Sequence, residues 1–170
     1  MHVQLSKEVL MKGSLRYLTL AGCLAAFSAS AADSAQVALF TALAKCEASA
    51  QQVEAFNQLV EAEQLTFTKD EAHSPWGGAA WQVTPALSIN GVSSATLVMT
   101  DRFSFYLQSS STAPLADAAK LATTLKLKKT LDTDGYVDYQ RVLESKGTLR
   151  VVSTEDKDRD LYVGCSYPQA

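Results

Sequence analysis

The stretch "WQVTPALSINGVSSATLVM", Trp81 to Met99, decides how this chain folds. Trp81, Val83, Leu87 and Ile89 alternate with Gln82, Thr84, Ala86 and Ser88, a period of two that marks a strand with one buried face. Asn90-Gly91 follows, two residues that both tolerate positive φ and so close a tight hairpin. Ala95, Leu97 and Met99 return on the partner strand. Pro85 has no N–H to give to a ladder, which places the first strand at a sheet edge or a bulge at that point. Asp101-Arg102 then turns the chain into a third strand with Phe103, Phe105 and Leu107.

On either side of this meander the period changes. Upstream, Val37, Phe40, Leu43 and Cys46 recur at three-residue steps, and Ser34 to Leu65 reads as helix. Ser49-Ala50-Gln51-Gln52 fits a capping box, so a second helix starts near Ala50 with Val53, Phe56, Leu59 and Val60 inward. One long bent helix is the alternative. Downstream, "SSSTAPLADAAKLATTL" opens a helix with Thr112 or Ala113 at the cap and Pro114 in the first turn. Leu115, Ala118, Ala122 and Leu125 form its inner face. Three strand-like runs finish the chain, Tyr136 to Glu144, Thr148 to Thr154 and Asp160 to Tyr167. The fold class is therefore α+β: an N-terminal helical segment and a second helix on one face of an antiparallel sheet, in the order α-βββ-α-βββ. The architecture repeats, without a residue-level repeat between the halves.

The N-terminus reads as an address rather than as fold. Lys12 and Arg16 form a positive region, Tyr17 to Phe27 is apolar apart from Thr19, and Ala29-Ser30-Ala31 offers a cleavage site. That is the pattern of a secretory signal peptide over residues 1–31, ahead of a single domain over residues 32–170. Met11 opens a more compact signal than Met1. Leu20-Ala21-Gly22-Cys23 is a competing lipoprotein box, which would anchor the protein to a membrane through Cys23. It would leave a very short apolar core and an apolar rather than polar tether, so release near Ala31 is the favoured reading. The expected location is periplasmic or secreted, with a membrane-anchored lipoprotein as the alternative.

Removing residues 1–31 takes three of the fifteen basic residues and one of the eighteen acidic ones. The remaining chain carries twelve against seventeen, a net charge of −5. That balance argues against a nucleic-acid partner. No later apolar run reaches the roughly 20 residues of a membrane helix. Cys46 and Cys165 remain, an even pair in an oxidising compartment, and both fall on inward faces, so they are expected to form a disulfide. It would close a loop worth about 4–5 kcal/mol on the chain-entropy model.

The catalytic inventory is thin. Beyond residue 31 the chain has one histidine, His73, and neither a Gly-x-Ser-x-Gly elbow nor a phosphate-binding loop. No metal site and no cofactor are expected. Thr130 to Arg141, "TLDTDGYVDYQR", aligns poorly with a calcium loop, because an arginine stands where the bidentate glutamate should be. It reads better as a polar turn at Asp134-Gly135. Glu61 and Glu63 fit a solvated helix face, and Lys126, Lys128 and Lys129 a solvated helix end. Recognition is better supplied. His73, Pro75 and Trp76 share a Gly-rich loop with Trp81 beside it, and His73, Trp76 and Trp81 are the candidate binding residues. The alternative is that Trp76 covers the edge of the core. The reading that results is a small exported envelope protein, non-catalytic, that binds or inhibits another envelope or secreted protein. An exported hydrolase using His73, or a lipid-anchored accessory protein, is the alternative.

Overall fold

The computed structural model describes residues 24–73, 77–144, 146–155 and 160–169, with side chains from Asp33 onward. The elements are α1 (Leu24–Ala44), α2 (Ala50–Glu61), β1 (Thr68–Lys69), a 3-10 turn (Glu71–His73), β2 (Ala79–Ile89), β3 (Val92–Asp101), β4 (Ser104–Ser110), α3 (Pro114–Leu125), β5 (Lys128–Thr133), β6 (Tyr136–Leu143), β7 (Gly147–Thr154) and β8 (Asp160–Ser166). The fold is α+β. One eight-stranded antiparallel sheet runs in the order β1-β2-β3-β4-β8-β7-β6-β5. Each half is a helical segment, α1 and α2 in the first and α3 in the second, followed by a four-strand meander that ends at the centre of the sheet. The halves join along β4 and β8, from Ser104 opposite Ser166 to Ser110 opposite Asp160.

The helical segment divides where the capping box stands. Ser49 accepts from the Gln52 backbone N–H while the Gln52 side chain accepts from the Ser49 N–H, which satisfies two orphan donors at once. One continuous helix is thereby excluded. Cys46 lies just past the end of α1 at φ 60°, rather than on its inward stripe, and its Sγ bonds to that of Cys165 on β8 with Cα atoms 5.3 Å apart. Upstream, α1 runs through Ala29-Ser30-Ala31 to Leu24. The Asp33 carboxylate accepts from the Thr66 hydroxyl at 2.9 Å. Cys23, Met1 and Met11 lie outside the described residues. No helix of the described residues is long and apolar enough to cross a membrane.

The hairpin forms at Asn90-Gly91, with φ 53° and 86°, and pairs Ile89 with Val92. The register of β2 shifts between Gln82 and Leu87, the segment that holds Pro85. The expected six strands are eight. β1 is a two-residue pairing in the loop before β2, and β5 follows α3 directly. Lys126 is the left-handed cap of α3, while Lys128 and Lys129 belong to β5 rather than to a helix end. The calcium-like stretch is the β5–β6 hairpin, with Thr133 opposite Tyr136 across Asp134-Gly135. Asp132 is held by Lys129 at 2.7 Å and Asp138 by Arg150, so these carboxylates serve ion pairs.

All three α-helices cover the same face. Phe40 and Leu43 of α1 and Phe56 of α2 pack with Trp81, Leu97, Phe105 and Cys165. Phe56 meets Phe105 and Trp81 edge-on at 5.5 and 6.4 Å, contacts worth about 0.5–1.5 kcal/mol each beyond burial. Ala118 and Ala122 of α3 pack on Val137, Val151 and Val163. Successive strand residues point to opposite faces, so the alternate positions gather on the other side. There Ala80, Val98, Tyr106, Val152 and Tyr162 form a third buried cluster, with no helical residue in it.

Candidate functional site

The helix-free face carries the chemistry that the helical face lacks. Its centre is Gly164 on β8, the register partner of both Tyr106 on β4 and Arg150 on β7. A glycine there leaves the two long side chains room to meet over the middle strand. A Cβ at this position would lie 2.0 Å from the Phe105 carbonyl oxygen, so the approach of backbone to backbone requires glycine.

Arg150 organises the site. Its Nε and Nη2 donate to the two oxygens of Asp138 at 3.4 and 2.5 Å. Its Nη1 donates to the Tyr106 hydroxyl at 3.2 Å and to Ser166 Oγ at 3.3 Å. Gln140 Nε2 also donates to Asp138, at 2.7 Å. Ser104, Tyr106 and Ser166 continue the network, with Oγ to Oγ at 3.0 Å and Oη to Oγ at 2.8 Å. Burial works against the guanidinium charge, but the Asp138 carboxylate outweighs it and holds Arg150 above its ordinary value. Burial pushes the Tyr106 and Tyr136 phenols up, so both keep their protons at neutral pH.

Thr100, Tyr106, Tyr136, Arg150, Val152 and Tyr162 line a cavity of about 260 Å³ on this face. The Tyr106 and Tyr162 rings stand edge to face at 6.5 Å. The Tyr162 hydroxyl donates to Asp160 at 2.9 Å. A larger groove of about 720 Å³ lies between the hairpin tip, the end of β4 and α3. Hydroxyl side chains dominate it, and no aromatic ring among the described residues lines it; Asp117 within it already accepts from Ser111 at 2.5 Å.

The residues singled out from the sequence are distributed differently. Trp81 is buried on the helical face, edge-on to Phe56, in the position of a core residue. Trp76, with Ser74 and Pro75, lies outside the described residues. His73 closes the 3-10 turn, and its Nδ1 is 2.8 Å from Asp70 Oδ2. Gln82 Nε2 donates to the same oxygen at 2.5 Å and is 3.1 Å from Thr96 Oγ1. Gln82 alternates with Trp81, so this cluster sits at the β2 end of the helix-free face. The Gln82 donor is the main reason that Asp70 is held below the ordinary carboxylate value, with His73 adding to it. Among the described residues no hydroxyl or thiol hydrogen-bonds to the other nitrogen of His73. Both cysteines of the domain are consumed by the disulfide. Glu61 and Glu54 are bridged by Arg102. Among the described residues no three His, Cys, Asp or Glu side chains gather closely enough to hold a metal ion.

Sequence reasoning passed over Tyr106, Tyr136, Arg150 and Tyr162. The available signal was the off-core series itself: Tyr136-Asp138-Gln140 and Arg150-Val152-Thr154 mix aromatic, apolar and charged residues where a wholly solvated face would be uniformly polar. Comparison with family models, with curated proteins and with solved structures gives no match for this chain.

Proposed function

We propose that the protein is a small exported binding protein, periplasmic or secreted after cleavage near Ala31, that acts without catalysis on another envelope or secreted protein through the helix-free face. The observation that carries this reading is the cavity lined by three tyrosines and Arg150. Tyrosine and arginine are the residues in which interface energy concentrates, and here their orientation is set by hydrogen bonds and by packing. The Cys46–Cys165 bond supports export, since such bonds persist in oxidising compartments.

The test uses a photo-crosslinking residue in place of Thr100 at the cavity, with the same residue in place of the exposed Thr123 on α3 as control. The reading expects a discrete adduct from position 100 alone. The purified partner should then bind stoichiometrically and emerge chemically unchanged. Intact mass of the exported protein should place its N-terminus at Ala32 or Asp33. A lipid on Cys23 would convert the reading to an anchored accessory protein.

One observation favours a second reading, a hydrolase. Asp70 orients His73 as a carboxylate orients the base of a nucleophilic dyad. Turnover of an ester, peptide or glycan substrate that disappears in His73→Ala would establish it and overturn the binding reading.

A further inference from the structure

We infer that the cavity on the helix-free face receives a carboxylate carried on a flat apolar group. This rests on the binding reading above and names the ligand chemistry of the same site.

The argument starts from the donors. A guanidinium has five N–H groups. Four of those on Arg150 are taken by Asp138, Tyr106 and Ser166. The fifth, on Nη2, has no partner among the described residues. The side chain of Arg150 is 25% exposed, whereas that of Asp138 is 5% exposed. The cation therefore faces the cavity and its counter-ion lies behind it. Asp138, shielded from the cavity, already accepts two bonds from Arg150 and one from Gln140. The pair thus presents a donor and no acceptor.

A second donor belongs to the same lining. Tyr136 lines the cavity and its hydroxyl has no hydrogen-bond partner among the described residues. As a protonated phenol it donates at neutral pH. The Tyr106 oxygen and Ser166 Oγ are already engaged with Arg150 and with each other. One guanidinium N–H and one phenol O–H match the two oxygens of a carboxylate. A phosphate dianion would bring more charge than a site already neutralised by Asp138 can balance.

The rest of the lining joins the Thr100 hydroxyl to the apolar surface of Val152 and the tyrosine rings. Val152 and Tyr162 are register partners in the lining, and the Tyr162 hydroxyl is bonded to Asp160. A cavity of about 150 Å³ holds benzene, so 260 Å³ has room for a ring and its carboxylate. The same chemistry comes from a free small acid or from the C-terminal residue of a polypeptide.

The experiment is a nuclear magnetic resonance titration of the oxidised protein, following the Arg150 Nε–H and the backbone amides of Val152 and Tyr162. The probes are phenylacetate and, as neutral and cationic controls, phenylacetamide and phenethylammonium. Phenylacetate should shift these signals saturably, and both controls should bind at least tenfold more weakly. Tyr136→Phe, which keeps the ring, should weaken phenylacetate about fivefold and leave the melting temperature within a degree or two. Gly-Gly-Phe and its C-terminal amide form the second arm. Preference for the free acid assigns the site to a chain terminus, and binding of phenylacetate without the peptide assigns it to a small acid. Equal binding of acid and amide, absence of saturable binding, or shifts centred on His73 would overturn the inference. A partner that still crosslinks at position 100 in that case would preserve the binding reading and remove only its ligand class.

Discussion

Tyr106 and Arg150 belong to strands that do not pair, yet Arg150 Nη1 lies 3.2 Å from the Tyr106 hydroxyl. The strand between them is β8, and Gly164 is its residue at the crossing. Gly164→Ala would drive a methyl group into the Phe105 carbonyl and the Tyr106 backbone. The expected cost is about 3 kcal/mol, the upper range for overpacking a closed site. Urea denaturation measures it, and a loss below about 1 kcal/mol would show that the strands separate more easily than the geometry implies.

The bond from Cys46 to Cys165 spans 119 residues. Cys165→Ala should lower stability by roughly 2–5 kcal/mol. Cys46→Ala should cost a similar amount, and the double variant little more than either, because one constraint is removed in all three. A non-reducing peptide map lacking the linked pair would refute the pairing itself.

Tyr167 fastens the break between α1 and α2 to the end of the sheet. Its hydroxyl donates to the Leu43 carbonyl at 2.9 Å and accepts from the Ala48 N–H at 3.3 Å. Burial pushes its phenol up to about 12 from an ordinary value of 10.0. The folded state holds the proton more tightly than the unfolded chain. This contribution is therefore intact below about pH 10 and is lost as pH rises from there towards 12. Tyr167→Phe should cost about 1 kcal/mol at neutral pH and flatten the fall in melting temperature above pH 10. An unchanged alkaline slope would count against this role.

Asp70 works in the opposite direction. Gln82, then His73 and the Ala72 N–H, stabilise its ionised form. Its folded value lies below 3.8, so its contribution is present above that value and is lost as pH falls through the lower folded one. Gln82→Leu should bring the Asp70 titration back towards 3.8, as read from its carboxyl carbon resonance. A titration that does not move would show that Gln82 is not the dominant donor.

What the sequence made legible follows from which physical signals are local. Ser49 with Gln52, Asn90-Gly91 and the parity that puts Cys165 beside Val163 and Leu161 act over a few residues, and the structure keeps each of them. β5 was not legible. All six of its residues, Lys128 to Thr133, are exposed, so it has no buried face to write a period of two into the chain. The candidate site escaped for a related reason. Its residues occupy the positions that alternate with the core, and nothing local shows that β4 and β7 come together across a glycine. That proximity depends on sheet order, which places β8 between them.

The disulfide also changes what a protease can do to this molecule. Between Cys46 and Cys165 the oxidised backbone is covalently a ring. A single cut anywhere in that ring, whether at the Asn90-Gly91 tip or at Asp134-Gly135, opens it without releasing a fragment. The two new ends stay on one molecule, and the eight strands keep every pairing partner within reach. Exposed turns are the usual sites of nicking, and a first cut at one of them leaves the two pieces joined through the disulfide.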